Sequence, residues 1–143
     1  MSNAASNYLE LTTLKHILQN ASTNGAAYNT ASLDVYVSLH TGSPAEDDSG
    51  ANEIPTSGYN YAREQVTFGD VATVANVTSA SSNVTVTFGQ ASSDYTAPVT
   101  HIGMYDASTS GNLLFYGALA TSKTVTSGDV FQINSGSLTI TLD

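Results

Sequence analysis

Alternation of apolar and polar residues is the feature that most constrains this chain of 143 residues. After Gly25 the apolar side chains recur at every second position, which is the period of a strand with one buried face. Leu33, Val35, Val37 and Leu39, for example, alternate with polar or aromatic residues. The pattern continues to the C-terminus and predicts a mainly β protein.

About eight segments have the composition of strands and are separated by turns rich in Gly, Ser, Asp and Asn. They span residues 33–39, 59–68, 71–78, 84–88, 99–105, 112–119, 129–133 and 138–142. Short strands at intervals of about 8 to 12 residues favour two packed antiparallel sheets. We therefore predict an antiparallel β-sandwich or jelly-roll-like body. An α/β fold is disfavoured because the chain has no second amphipathic helix for a crossover.

The N-terminal region has a helical pattern instead. Asn7 can cap a helix, with Glu10 three positions later, and the pair Asn24-Gly25 can stop it. We predict a loose leader over residues 1–6, one short α-helix within an arm of residues 1–25, and a β-sandwich domain over residues 26–143. This helix can pack on its own domain or dock on a neighbouring subunit. The candidate contact residues on its apolar stripe are Tyr8, Leu11, Leu14 and Leu18.

Charge restricts the partners of the chain. The only basic residues are Lys15, Arg63 and Lys123, against twelve acidic residues, which gives a net charge of -9. Nucleic acid and anionic membranes are bound through clustered Lys and Arg, so we expect neither as a direct partner. No apolar run approaches the ~20 residues of a membrane span. Cysteine is absent, which excludes disulfides and thiolate metal sites.

The longest segment without periodicity runs from Thr41 to Ser57 and contains four acidic residues. Long loops in compact domains are often functional or mobile. The acidic positions lack the alternation, the central Gly and the closing Glu of an EF-hand. We therefore expect a solvated acidic loop that contacts a surface or is flexible, and we expect no metal ion or other cofactor.

Signatures of catalysis are missing from the sequence. The three histidines lie far apart and without zinc-motif spacing, and there is no G-x-S-x-G or S-x-x-K motif. Asp94, Asp106 and Asp129 lie at predicted turns, where Asp commonly accepts local backbone hydrogen bonds. The residues therefore predict a protein that is not an enzyme.

Arginine and tyrosine supply the other candidate contact residues. Arg63 can pair with an acidic residue of its own chain or anchor a contact between subunits, where Arg and Tyr are enriched. Tyr36, Tyr59 and Tyr61 lie on predicted strands or beside the long loop, either in the core or in an exposed contact patch. The absence of Trp weakens a glycan-stacking interpretation.

Three segments, in this order, resemble a family of small virion proteins of tailed bacteriophages that are often called tail-fibre proteins. They are GYNYAREQVTF at 58–68, VTHIGMYD at 99–106 and GNLLFYGAL at 111–119. The resemblance covers most of the chain, including LDVYVSLHTGSP at 33–44 and KTVTSGDV at 123–130. Insertion of Asn60-Tyr61 after Gly58-Tyr59 departs from the family pattern.

The resemblance implies a structural protein of the virion, with a short N-terminal helix joined to a β-rich body. The chain has neither the heptads nor the repeats of a long fibre shaft. The first expectation is therefore a capsid decoration (cement) protein on the capsid exterior, bridging major capsid proteins as a homo-oligomer, a trimer or dimer. The alternative is a tail-fibre or baseplate component that contacts the host, for which binding of a host-surface glycan would be evidence.

Overall fold

A computed structural model describes residues 3–5, 34–74 and 77–142 of the chain. This part is mainly β and contains no helix, so none that is long and apolar enough to cross a membrane. The mainly β, antiparallel prediction is confirmed. The predicted N-terminal helix and its residues Tyr8, Leu11, Leu14 and Leu18 lie outside the described residues.

The described residues form ten strands rather than about eight. They are β1 (Asn3–Ala5), β2 (Val35–His40), β3 (Glu64–Val66), β4 (Ala72–Val74), β5 (Val77–Ser81), β6 (Val86–Thr87), β7 (Val99–Tyr105), β8 (Leu113–Lys123), β9 (Gln132–Ile133) and β10 (Thr139–Leu142). Three sheets result, with strand orders β1-β8-β7-β2-β3, β10-β5-β4 and β6-β9. All their pairings are antiparallel.

Two expectations about the strands were wrong. The single strand predicted over residues 71–78 is two strands, since β4 pairs with β5 and Val74 lies opposite Val77. The loose leader predicted over residues 1–6 contains β1, in which Asn3 lies opposite Gly117 of β8. β1 and β4 are held by backbone hydrogen bonds to their neighbouring strands. An apolar pattern in the side chains does not reveal such pairing.

The core lies against one face of the five-stranded sheet. Val37 and Leu39 of β2 lie opposite Met104 and Ile102 of β7, and all four are buried in one hydrophobic cluster. The cluster also includes Val86 of β6, and Ile133 of β9 and Ile140 of β10 pack against it. Residues from all three sheets therefore contribute to one core. In β2 and β7 these residues lie at alternate positions, which share one face of a strand.

The opposite face of this sheet is buried as well, although its residues are more polar. Ser38 and His40 of β2 and Gly103 and Tyr105 of β7 alternate with the core residues and are buried. Arg63 lies over the Tyr105 ring, and Ala51 of the segment 41–57, hereafter the acidic loop, contacts His40. This part of the sheet therefore lies between its hydrophobic core and a layer formed by Arg63 and the acidic loop.

Candidate functional site

The acidic loop leaves the end of β2 and returns to the same strand. Thr41 N donates to Asn52 O and Ile54 N donates to Leu39 O, both at 2.9 Å. Between these bonds three residues adopt positive φ angles, of 60° at Asp48, 66° at Gly50 and 60° at Asn52. Asp, Asn and Gly are the residues that tolerate this conformation best. The loop is thus a folded element with a defined path.

A nearly buried ion pair joins the loop to the segment before β3. Arg63 donates from Nη2 to Oε2 of Glu53 at 2.7 Å and from Nε to Oε1 at 2.8 Å. The Arg63 side chain is 8% exposed and that of Glu53 is 14% exposed. Such a two-pronged contact fixes the orientation of both side chains.

The same guanidinium reaches the turn between β7 and β8. Its Nη1 donates to the carbonyl oxygens of Ser110 at 2.6 Å and Ala107 at 3.3 Å. Its central carbon lies 3.5 Å from the centroid of the Tyr105 ring, within the range of a cation–π contact. Arg63 therefore connects the acidic loop, the segment before β3 and the β7–β8 turn.

Two tyrosines complete this arginine cluster, which consists of Glu53, Tyr61, Arg63 and Tyr105. The buried Tyr61 hydroxyl donates to Oε1 of Glu53 and accepts from the backbone N–H of Leu39, both at 2.9 Å. Burial and the adjacent carboxylate raise the pKa of Tyr61 above its ordinary value. Burial raises the pKa of Tyr105 to about 12. The Tyr105 hydroxyl is buried without a hydrogen-bond partner among the described residues.

His40 lies beside the cluster as a neutral imidazole. Its Nδ1 is 2.9 Å from the carbonyl oxygen of Ala51, which can only accept, so Nδ1 carries the proton. Its Nε2 then accepts from the Ser38 hydroxyl at 2.8 Å. Burial lowers the pKa of His40 more than the Ala51 hydrogen bond and Glu53 raise it. Nδ1 thus holds the loop on the sheet, while the bond of Nε2 to Ser38 lies within β2.

The other carboxylates of the loop also have internal partners. Asp48 Oδ1 accepts from the backbone N–H of Leu113 at 2.7 Å, and Glu46 Oε1 accepts from the Tyr116 hydroxyl at 2.6 Å. Asp47 is exposed. The expectation of a solvated acidic loop was therefore wrong for three of its four acids, because Glu46, Asp48 and Glu53 accept hydrogen bonds from the sheet and from the arginine cluster. A surface contact of the loop stays a prediction.

The family of the chain follows from a comparison with family models. The model described as Podophage GP4 fiber I protein gp80 matches residues 4–141. This chain belongs to that family. The gp80 match covers the whole acidic loop and arginine cluster, confirms the resemblance to phage tail-fibre proteins, and makes the chain a component of a phage virion. A search of curated proteins found no match.

The predicted contact residues of this gp80 family member lie in different surroundings. Tyr61 and Arg63 come together in the arginine cluster, and Arg63 has the intrachain acidic partner that was one of its two alternatives. Tyr36 is half-buried on β2, opposite Tyr105. Tyr59 is half-buried too, and its ring meets that of Tyr95 edge-on with centroids 5.8 Å apart. A role of these residues between subunits stays a prediction.

Sequence reasoning missed Glu53, His40 and Tyr105 as members of this site. The sequence predicted an acidic partner for Arg63, but any of the twelve acidic residues could have been that partner. No local signal selects Glu53, because its contact with Arg63 depends on the loop folding back on β2 through the backbone bonds at Thr41 and Ile54.

The arrangement fixes the acidic loop to the sheet and to the β7–β8 turn. Among the described residues no three His, Cys, Asp or Glu side chains come together as a potential metal site. Asp106 accepts from the backbone N–H of Asn112 at 2.6 Å and Asp129 from that of Thr126 at 2.9 Å, the local bonds predicted for turn residues. In this gp80 family member the cluster neutralises its own charges and fixes the acidic loop on the sheet.

Proposed function

We propose that this protein is a non-enzymatic structural component of a podophage tail fibre. The observation that carries the proposal is the family match over residues 4–141, whose description names a fibre protein. The geometry supports it, since the arginine, histidine and carboxylates of the site are engaged with each other or with backbone groups of the same chain. A catalytic site instead keeps such groups available to a substrate.

The acidic loop is the contact element in this proposal. Ser43, Asp47, Ser49 and Asn52 are exposed on it, while Glu53 and Asp48 hold it to the body. A loop that is ordered before binding avoids part of the entropy cost of ordering on contact. We infer that this polar surface contacts a neighbouring virion protein or the host surface.

The body has a sandwich-like packing in the same proposal. Side chains from the five-stranded, three-stranded and two-stranded sheets share one hydrophobic cluster. Sheets that pack face to face bury a common core of this kind. The resulting body is compact and contains no shaft repeats. This body suits a small adaptor or tip on the fibre.

A capsid decoration protein is the second candidate. The sequence favours it through the absence of heptads and β-prism repeats from the chain. In that case the body would cover junctions between capsid subunits and resist the pressure of packaged DNA. The family description gives the fibre candidate priority.

An amber codon in the gene separates the two candidates. On a non-suppressing host the virions lack this protein. If it is a fibre protein, these virions should have full heads of normal heat stability and should fail to adsorb to cells. Virions that lack a decoration protein should adsorb normally and release DNA on mild heating. The same phage grown on a suppressing host is the matched control. Normal adsorption with unstable heads would refute the fibre proposal.

A further inference from the structure

A bulge in the second half of β8 forms one wall of a surface groove. His101 of β7 pairs with Ala118 of β8. The next pair joins Val99 to Lys123, so two steps along β7 span five along β8. Residues 118–121 line the groove consecutively, whereas a regular strand turns only alternate residues to one side. Bulges that re-aim side chains in this way are over-represented next to functional sites.

The opposite wall of the groove belongs to the segment 131–138. The groove has a volume of about 550 Å³ and adjoins a second cavity, with which it shares Lys123, Phe131 and Gln132. Phe131 is half-buried, and its ring meets that of Phe88 edge-on with centroids 5.8 Å apart. This contact restricts the orientation of the Phe131 ring. The groove therefore contains a positioned aromatic surface.

Several polar side chains of the lining are not engaged elsewhere. Lys123 is exposed and forms no salt bridge among the described residues. Thr121, Asn134 and Ser137 are exposed too, and their side chains form no hydrogen bond within the part of the chain that the structure describes. A few free polar groups around an apolar surface are what orients a small ligand in a binding site.

Charge restricts the ligand. The residues that line the groove include Lys123 and no acid. The adjoining cavity contains Asp129, whose Oδ2 accepts from the backbone N–H and the hydroxyl of Thr126. The groove also reaches Ile102 of the hydrophobic core, so it lies on the side of the sheet that faces away from the acidic loop. A single lysine without a basic cluster suits one carboxylate rather than a phosphate polymer.

We propose that the groove binds a carboxylated sugar of a host-surface polysaccharide. Such a sugar has a carboxylate for Lys123, hydroxyl groups for the free amide and hydroxyls of the lining, and an apolar ring face for Phe131. Phe131 supplies the aromatic contact in a chain that has no Trp. A peptide fits less well, because the bulge interrupts the regular row of backbone groups with which an added strand pairs. The inference rests on the proposed fibre function and names the ligand class.

The test is binding of host polysaccharides to the purified full chain, measured by isothermal titration calorimetry. The probes are the capsular and the lipopolysaccharide fractions of the cells that the phage infects, each in its native form and after chemical reduction of its carboxyl groups. One native fraction should bind, which identifies the source of the sugar. Its reduced form should bind roughly tenfold more weakly, because it lacks the charge-assisted hydrogen bond to Lys123.

Lys123→Met separates the role of the charge from that of the groove. The variant keeps the length of the side chain, and it should bind the native and the reduced polysaccharide with the same weak affinity. The control is Val84→Asp, at an exposed valine (38%) outside the groove, which changes the net charge by the same unit and should bind like wild type.

Three results would overturn the inference. They are no binding of either fraction, equal binding of the native and reduced forms by wild type, and a Lys123→Met variant that still discriminates between them. Capture of another virion protein through Lys123 in place of polysaccharide would overturn it as well. The amber-codon experiment decides the fibre proposal separately, since virions that fail to adsorb support that proposal whether or not this groove binds a sugar.

Discussion

At the scale of single residues, Glu53 is the carboxylate that Arg63 and Tyr61 share in the arginine cluster. Its carboxylate accepts two hydrogen bonds from Arg63 and one from Tyr61, in a site where little water reaches. Burying charges is costly, so the pair is favourable only while both members are present. Removing one charge leaves the other uncompensated, and this makes Glu53 the residue on which the position of the acidic loop depends.

Glu53→Gln tests this dependence. The amide keeps the size of the side chain but removes the charge that compensates Arg63, so the free energy of unfolding should fall by about 3 kcal/mol. Urea denaturation followed by circular dichroism measures it. Asp47→Asn, at an exposed carboxylate of the same loop, is the control and should leave stability close to that of wild type. Equal effects of the two variants would show that the ion pair does not hold the loop.

Gly103 is the second residue at which the structure predicts a specific effect of substitution on stability. A Cβ at this position would lie 2.8 Å from Oγ of Ser38 and 3.1 Å from Nε2 of His40, in a face without free space. Gly103→Ala should therefore cost about 1–3 kcal/mol of stability by overpacking. Gly69→Ala, where the nearest neighbouring atom would be 3.7 Å away, is the matched control for the thermal unfolding measurement. A tolerated Gly103→Ala would contradict the close packing of this face.

His40 predicts how stability depends on pH. Burial lowers its pKa in the folded state below the unfolded value of 6.5, although Glu53 opposes this shift while Arg63 and His101 add to it. The unfolded chain therefore binds the proton more readily, and this contribution to stability is lost as the pH falls below about 6.5. Between pH 7 and 5, His40→Asn should show a flatter loss of stability than wild type, measured by urea denaturation at each pH.

The control for this pH series is Gly69→Ala, which leaves His40 and the residues that shift its pKa unchanged, so the slope of wild type should persist. One proton taken up on unfolding changes stability by at most about 1.4 kcal/mol per pH unit. Parallel curves for wild type and His40→Asn would contradict the neutral, buried state of this imidazole.

At the scale of strands and loops, the sequence predicted elements whose side chains alternate. β7 was predicted with its observed bounds, and β2 with its buried face, because Val37, Leu39, Ile102 and Met104 obey a period of two. The β4–β5 division was not predicted, since the sequence from Val74 to Val77 contains no Gly or Pro to mark a turn.

The order within the acidic loop could not be predicted either. Its partners lie far away in sequence, as in the bond from Leu113 to Asp48 and that from Tyr116 to Glu46. Local propensity carries no information about such contacts. The candidate site was therefore only partly visible: Arg63 and Tyr61 were singled out, whereas their common partner Glu53 was assigned to a solvated loop.

Hydrogen exchange should distinguish the strands. β7 is flanked by β2 and β8 and buried on both faces, whereas β4 is an exposed edge strand. Amides of β7 should exchange only through global unfolding, and those of β4 through local opening that is orders of magnitude faster. Exchange measured by mass spectrometry on the monomer checks this order. Equal protection of the two strands would contradict the described sheet order.

At the scale of the whole molecule, β1 changes how the N-terminal arm should be tested. Deleting residues 1–20 would remove the predicted helix and also β1, which belongs to the five-stranded sheet. Replacing Leu11, Leu14 and Leu18 by Ser keeps β1 and removes the predicted apolar stripe. If the arm docks on a neighbour, this variant should keep the circular dichroism of a β protein and lose incorporation into virions. Normal incorporation would refute a docking role.

The most direct test of the account is the position of this gp80 family member in the virion. A cryo-EM reconstruction of head and tail, with the copy number of the protein relative to the major capsid protein, supplies it. We expect a few tens of copies or fewer, on the order of tail symmetry, with density for the five-stranded sheet and its acidic loop on the tail fibres. Copies comparable in number to the capsid protein, with density on the icosahedral shell, would contradict the fibre proposal.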